Sequence, residues 1–384
     1  MIGNSILSAY GVTVFDRMSA LAAEHGAINL GQGFPDEDGP SEILEKAAEA
    51  LLQGPNQYPP LMGIAELRRA IADHDRRFYG IEADWNAEVM VTSGAGEAIA
   101  ACLLGLINPG DEVVMIEPLY DSYLPMVRRA GGIPKLVRME PPRWELPRAA
   151  LAEAFSDRTR LIILNSPHNP AGKVFNGDEL DFIAGLLQTH NAYAVCDEVY
   201  EHLTFDGVLH LPLMTKEGMR ERCLRIGSAG KTFSVTGWKV GYVVACPALL
   251  APVAKAHQFI TFTVPPHLQK AAAFGLRLDD AYFTRLASGL RIRHDLLAQG
   301  LTAAGFKVLP SAGTYFLTAD FSRLGFAGSD EDFCRHITVK AGVTAVPMSA
   351  FYDGDKVNNF VRFCFYKREE VLTEASARLG RCFA

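Results

Sequence analysis

The chain has 384 residues, 49% of them hydrophobic and 21% charged, with a formal net charge of −7. That length carries one large domain or two ordinary ones around a substantial core, and the composition excludes a disordered or fibrous chain. The negative charge gives no general electrostatic reason to bind nucleic acid or an anionic membrane surface.

Seven cysteines lie scattered without a CxxC pair. Their odd number in a large chain argues against a disulfide framework or a zinc site, so no metal is expected. The N-terminus, MIGNSILSAYGVTVFDRM, lacks a basic region followed by a long apolar run, and the longest apolar run, AIAACLLGLI at 98–107, is too short to span a bilayer. A cytoplasmic protein is expected.

In chain order, short β-branched runs alternate with longer helical patterns. EVMVTSG (88–94) reads as a strand and EAIAACLLGLI (97–107) as a buried helix. Strands follow at DEVVMIEP (111–118), RLIILNSP (160–167), AYAVCDEVY (192–200), LRIGSAG (224–230) and VGYVVAC (240–246). Unbroken apolar strands alternating with helices predict an α/β fold with a parallel sheet covered on both faces. After about residue 275 a long helical pattern (282–305) leads into GTYFLTADFS and FVRFCFYK, strands of a smaller α+β unit. The expected division is a large domain over 41–275 and a small one built from 1–40 and 276–384.

Ligands of open α/β sheets bind outside the carboxyl ends of the strands, so the residues there are the candidates. SGAGEAI after the first strand offers small residues and a helix N-terminus to an anion, or is a structural turn. It is not a dinucleotide fingerprint, because Ile99 stands where a third glycine is needed. In NSPHNPAG, Asn169 presents its amide to a ligand or caps the tight turn closed by Gly172, and His168 either touches the pocket or packs beside that turn. Asp197 ends an apolar strand, where a carboxylate is costly unless a cation or donors meet it, and Tyr200 follows.

Lys231 follows the next strand among small and apolar neighbours, which favours the neutral amine needed for a Schiff base. Lys239, after TGW, suits a fixed charge for a phosphate. A phosphate cradle, an acid and a Schiff-base lysine on one side of one sheet are the parts that pyridoxal phosphate requires.

With NLGQGFPD (29–36), NQYPP (56–60), EPLYDSY (117–123), DEVY (197–200), SAGKTFSVTGWKVGY (228–242) and VRFCF (361–365), the chain resembles the fold-type I aminotransferases of class I from about residue 10 to its C-terminus. The likeness is to the branch containing kynurenine, glutamine–phenylpyruvate, methionine and N-succinyldiaminopimelate aminotransferases. It implies a mainly parallel seven-stranded sheet between helices, and pyridoxal phosphate as cofactor. Lys231 would carry the cofactor and shuttle the proton, and Asp197 would pair with the ring nitrogen. Asn169 and Tyr200 would meet the ring's phenolic oxygen, and Tyr120 would stack on its face. Ala95, Gly96, Ser228 and Lys239 would hold the phosphate.

Tyr58 would reach the phosphate from a second subunit, which implies a homodimer with shared sites. Arg362 would clamp the substrate α-carboxylate, with Gly33, Phe15 and Asn169 on the substrate side. The expected reaction is a ping-pong transfer of an amino group between an L-amino acid (aromatic, sulfur-containing, glutamine-like or succinyl-diaminopimelate type) and a 2-oxo acid. The alternative with the same cofactor is a C–S β-lyase acting on cysteine conjugates or cystathionine.

Overall fold

The computed structural model describes residues 3–354 and 357–384. In chain order its strands are β1 (Ile28–Asn29), β2 (Val89–Ser93), β3 (Glu112–Glu117), β4 (Ile133–Arg138), β5 (Thr159–Asn165), β6 (Tyr193–Asp197), β7 (Cys223–Ser228) and β8 (Val240–Val244), then β9 (Lys307–Val308), β10 (Phe316–Asp320), β11 (Val343–Thr344), β12 (Val346–Pro347) and β13 (Phe360–Cys364). Among the described residues they form three sheets: seven strands in the order β2-β8-β7-β6-β5-β3-β4, four in the order β12-β13-β10-β9, and the pair β1-β11.

The inner strands of the large sheet are buried on both faces, which is why they read as unbroken apolar runs. Val113, Met115, Ile163, Val195 and Ile226 pack on one side with the helices Gly94–Leu106 and Pro247–Ile260. Val114, Ile116, Ile162, Leu164 and Cys196 pack on the other with Gly177–Thr189. The helix Gly177–Thr189 starts on a capping box, in which Asn176 accepts from the backbone of Glu179 and the Glu179 carboxylate accepts in return.

Two features depart from the parallel sheet expected from the strand pattern. β8 runs antiparallel to both its neighbours, β2 and β7. Only residues 229–239 connect β7 to β8, too few for the helical crossover that a parallel neighbour needs. β4 is a strand that the apolar pattern hid. It pairs only with β3 at the sheet edge, where a proline and charged side chains cost little.

The antiparallel return of β8 brings its first residues to the carboxyl end of the sheet. Val240 stands opposite Ser93 and Gly241 opposite Ser228, so Lys239 arrives beside the ends of β2 and β7. In the C-terminal part, β13 pairs antiparallel with β10 and β12. The helices Asp280–Ala303 and Glu369–Phe383 share an apolar cluster with that sheet through Leu297, Leu301, Leu372 and Leu379. β1 pairs in parallel with β11, so the N-terminal segment joins the same part.

A buried charge cluster lies under β7. The Arg225 guanidinium ion-pairs with Asp75 and Glu198, each at 2.8 Å, and with Glu201, which also accepts from the Tyr242 hydroxyl at 3.0 Å. These partners answer the cost of placing an arginine in the middle of a central strand.

Candidate active site

The site begins where β2 ends. Gly94 has φ +72°, a conformation that side chains other than glycine rarely adopt. A Cβ on Gly241 would fall 2.5 Å from the Gly94 carbonyl carbon and 2.7 Å from the Ala95 nitrogen. Two glycines thus let β8 press against the start of the helix Gly94–Leu106. Backbone N–H groups at that helix start have no intrahelical acceptor and favour an anion. The Lys239 side chain lies over Gly94, and Ser228 ends β7 nearby.

The loop behind β5 is held by Asn165. Its side chain accepts from the Asn169 N–H at 2.7 Å and donates to the Asp197 carbonyl at 2.9 Å. Gly172, at φ +69°, donates to the His168 carbonyl and closes the turn. Burial pushes the His168 imidazole down to about 4, and the ring lies near Phe175 away from the cavity.

Asp197 is buried, which raises its carboxyl above the ordinary range. The Tyr123 hydroxyl, donating at 2.5 Å, and the Val199 N–H pull it back, as does the charge of Lys231. Lys231, half-buried, lines the cavity. Burial lowers its amine to about 8, against opposing pulls from Cys364 and Asp197. It donates to the Tyr315 hydroxyl at 2.8 Å, and its nitrogen lies 5.7 Å from the Tyr200 ring.

Arg362, on β13, is 1% exposed and has no carboxylate partner among the described residues. Its guanidinium donates to the Asn169 side-chain oxygen at 2.9 Å and to the Gly31 carbonyl at 2.8 Å, while Nε has no acceptor. Phe316 stacks on it at 3.9 Å, with Phe351 at 5.0 Å and Phe15 at 5.1 Å. Desolvation lowers it to about 10, so it stays charged at neutral pH. A buried guanidinium with donors left over has the geometry that suits a carboxylate.

Of the residues singled out in the sequence, Ala95, Gly96, Tyr120, Asn169, Asp197, Tyr200, Ser228, Lys231 and Lys239 line one cavity of about 200 Å³. Arg362 reaches it through Asn169, and Gly33 through Tyr315, which donates to the Gly33 carbonyl at 2.6 Å. Phe15 flanks Arg362. Tyr58 lies elsewhere: it is 84% exposed, its ring edge-on to Phe262 at 5.7 Å. Tyr123, Asn165 and Tyr315 escaped the sequence reading. Tyr123 and Asn165 stand inside quoted motifs, but nothing local says that they turn toward Asp197. Tyr315 reads as one more strand aromatic.

The family described as aminotransferase class I and II matches residues 25–379. A Mycobacterium tuberculosis protein named "Probable N-succinyldiaminopimelate aminotransferase DapC" is 48% identical over 387 residues, covering 98% of this chain and 97% of that one. The methionine aminotransferase of Escherichia coli is 40% identical over 379 residues, covering 99% and 98%. The solved structure of the M. tuberculosis N-succinyldiaminopimelate aminotransferase superposes with a TM-score of 0.97 over 99% of this chain and 100% of that one, at 48% identity. The architecture is the α/β fold-type I arrangement, and nothing among these relatives favours a C–S lyase. The chain belongs to the class I and II aminotransferases and is a transaminase, moving an amino group between an amino acid and a 2-oxo acid.

Proposed function

We propose that the cavity holds pyridoxal phosphate, and that the chain uses it in two half-reactions to exchange an amino group between a long-chain L-amino acid and a 2-oxo acid. The observation that carries this is Lys231, a lysine whose amine burial lowers to about 8 in a cavity with an anion cradle and a buried carboxylate. The donor set fits the cofactor. Asp197 needs a cation, which a protonated ring nitrogen supplies. Ala95 and Gly96 at the helix start, with Ser228 and Lys239, suit a phosphate. Asn169 and Tyr200 would meet the ring oxygen, and Tyr120 would cover the ring.

Bound there, the cofactor supplies an electron-withdrawing ring that stabilises negative charge at the substrate α-carbon. The chain's own residues do the rest. Arg362 takes the α-carboxylate on its free edge, a fork that lysine cannot offer. Asn169 and Gly31 fix the plane of that guanidinium, and Phe15 and Phe316 keep water from it. With its amine neutral, Lys231 Nζ accepts the proton from the substrate α-carbon.

The donor we favour is of the N-succinyldiaminopimelate type. The M. tuberculosis relative supports this, as does a second cavity of about 440 Å³ that shares Tyr120 and is lined by Tyr10, Thr13, Asp121 and Phe351. It has room for a long side chain. A homodimer completes the reading. Tyr58, 84% exposed, stands edge-on to the exposed Phe262, an apolar pair that a second copy would cover, and from there Tyr58 would reach the partner's phosphate. Seven free cysteines suit a reducing cytoplasm. We divide the chain into a large unit over 41–275 and a small one from 1–40 and 276–384.

The test is the visible spectrum of the protein loaded with pyridoxal phosphate, recorded with a panel of amino acids and no oxo acid. The reading predicts conversion of the bound-cofactor band to the amino form with the preferred donors, N-succinyldiaminopimelate foremost. A band that persists while pyruvate and ammonia accumulate would replace transfer with lyase chemistry.

A further inference from the structure

The Tyr315 hydroxyl joins two groups that the site uses for different purposes. Its O–H donates to the Gly33 carbonyl at 2.6 Å, and its oxygen accepts from Lys231 Nζ at 2.8 Å. The direction of this chain matters. A backbone carbonyl can only accept, so the Tyr315 proton is committed to Gly33 and the oxygen turns a lone pair to the lysine. Lys231 therefore meets Tyr315 with an N–H. Its own lone pair, once the amine is neutral, is left for the cavity. A hydroxyl turned the other way would donate into that lone pair and mask the base.

Several features hold Tyr315 in this position. The preceding residue, Thr314, is fully buried at φ +69°, a conformation in which a β-branched side chain is a rare outlier. It is kept there by its N–H to the Leu203 carbonyl at 2.8 Å and by the Phe316 N–H to its hydroxyl at 3.2 Å. Strain of this kind persists only where the surroundings over-determine it. At the other end, a Cβ on Gly33 would lie 2.6 Å from Phe316 Cζ, so only glycine brings that carbonyl so close. Two residues earlier, the Gly31 carbonyl accepts from Arg362. Residues 31–33 thus fix the carboxylate-binding arginine by one carbonyl and the base, through Tyr315, by another. Burial keeps the Tyr315 phenol protonated, so it does not itself exchange the proton.

We infer that Tyr315 is a positioning residue: anchored on Gly33, it receives one N–H of Lys231 and so aims the lysine lone pair at the substrate α-carbon. This rests on the amino-transfer reading above. In that reaction Lys231 takes the α-proton as the electron pair of the breaking C–H bond passes to the substrate side, and Tyr315 neither gains nor loses a proton.

The test is Tyr315→Phe in the full-length enzyme loaded with pyridoxal phosphate, which removes one oxygen and little else. The inference predicts kcat lower by about 10- to 100-fold with the donor KM within about twofold, and a larger isotope effect with an α-deuterated donor, because proton transfer has slowed. A second readout needs no turnover. In the cofactor-stripped chain, the pH midpoint for capture of pyridoxal phosphate by Lys231 falls by about half to one unit, because the ammonium has lost an acceptor.

An unchanged isotope effect and an unchanged midpoint in a folded variant overturn the inference. So does a loss of thermal stability and cofactor content with the midpoint unmoved, the pattern of a purely structural tyrosine. If Tyr315→Phe does not fold, 4-fluorophenylalanine at position 315 fills the place of the hydroxyl, cannot ionise, accepts almost no hydrogen bond and must lower the midpoint the same way. Wild-type enzyme that transfers no amino group would count against the underlying reading, whereas active wild type with a silent variant overturns this inference alone.

Discussion

Arg362 and Asn169, 193 positions apart in the chain, meet through a 2.9 Å hydrogen bond that ties the small four-stranded sheet to the loop behind β5. The same asparagine lines the cavity with Lys231 and Asp197. In the reading proposed above, the arginine that would take the substrate carboxylate is thereby held in register with the lysine that would take its α-proton.

Arg362→Lys tests the fork. A lysine keeps the charge but loses the planar pair of donors and the ring stacking, so kcat/KM for every donor should fall by about 2–3 kcal/mol in free energy, with KM rising and kcat falling. Steady-state kinetics on two donors of different side chain checks this, since both must lose by a similar factor.

Asp197→Asn tests the buried carboxylate. The cavity keeps its shape, so cofactor should still bind and give its visible band. Amino transfer should drop by about 100-fold or more, as when a preorganised charge is removed from a site. Single-turnover absorbance separates the two effects.

Lys231 sets a pH dependence whose sign follows from its lowered amine. Between about 8 and its ordinary value of 10.5, the folded state binds fewer protons here than the unfolded state does. Stability of the cofactor-free protein should therefore rise with pH across that window, and at pH 7 the buried ammonium is a burden. Lys231→Met should relieve it, raising cofactor-free stability at pH 7 by about 2 kcal/mol and abolishing that rise. Thermal melts from pH 7 to 10 on both proteins check this. Capture of pyridoxal phosphate by the wild type should climb through about pH 8 and then level.

Arg225→Met isolates a purely structural role. It leaves Asp75, Glu198 and Glu201 buried without their cation, so stability should fall by about 3–5 kcal/mol. In whatever fraction remains folded, KM for the donor should be unchanged. Denaturant unfolding and kinetics on the soluble fraction measure the two separately.

Most of the large sheet was legible because strands buried on both faces leave continuous apolar runs, as in RLIILN and AYAVC. β4 was not, since an edge strand needs no such run and IPKLVR carries a proline and two charges. β8 was legible as a strand but not in its direction, which is fixed by the length of the β7–β8 connection. That direction is also what carries Lys239 to the cavity at the carboxyl end of the sheet. Asp197, Asn169 and Lys231 could be picked out because each follows a predicted strand at its carboxyl end. Tyr123 and Tyr315 could not, because their hydroxyls are given partners only by tertiary packing. Arg225 likewise carries no local signal, and only its three buried carboxylate partners explain why it is tolerated in a strand.

The most direct test of the account is borohydride reduction of the protein loaded with pyridoxal phosphate, followed by peptide mass mapping. The account predicts one modified residue per chain, Lys231, in the peptide containing SAGKTF. Modification spread over surface lysines, or at Lys239 with Lys231 untouched, would contradict it.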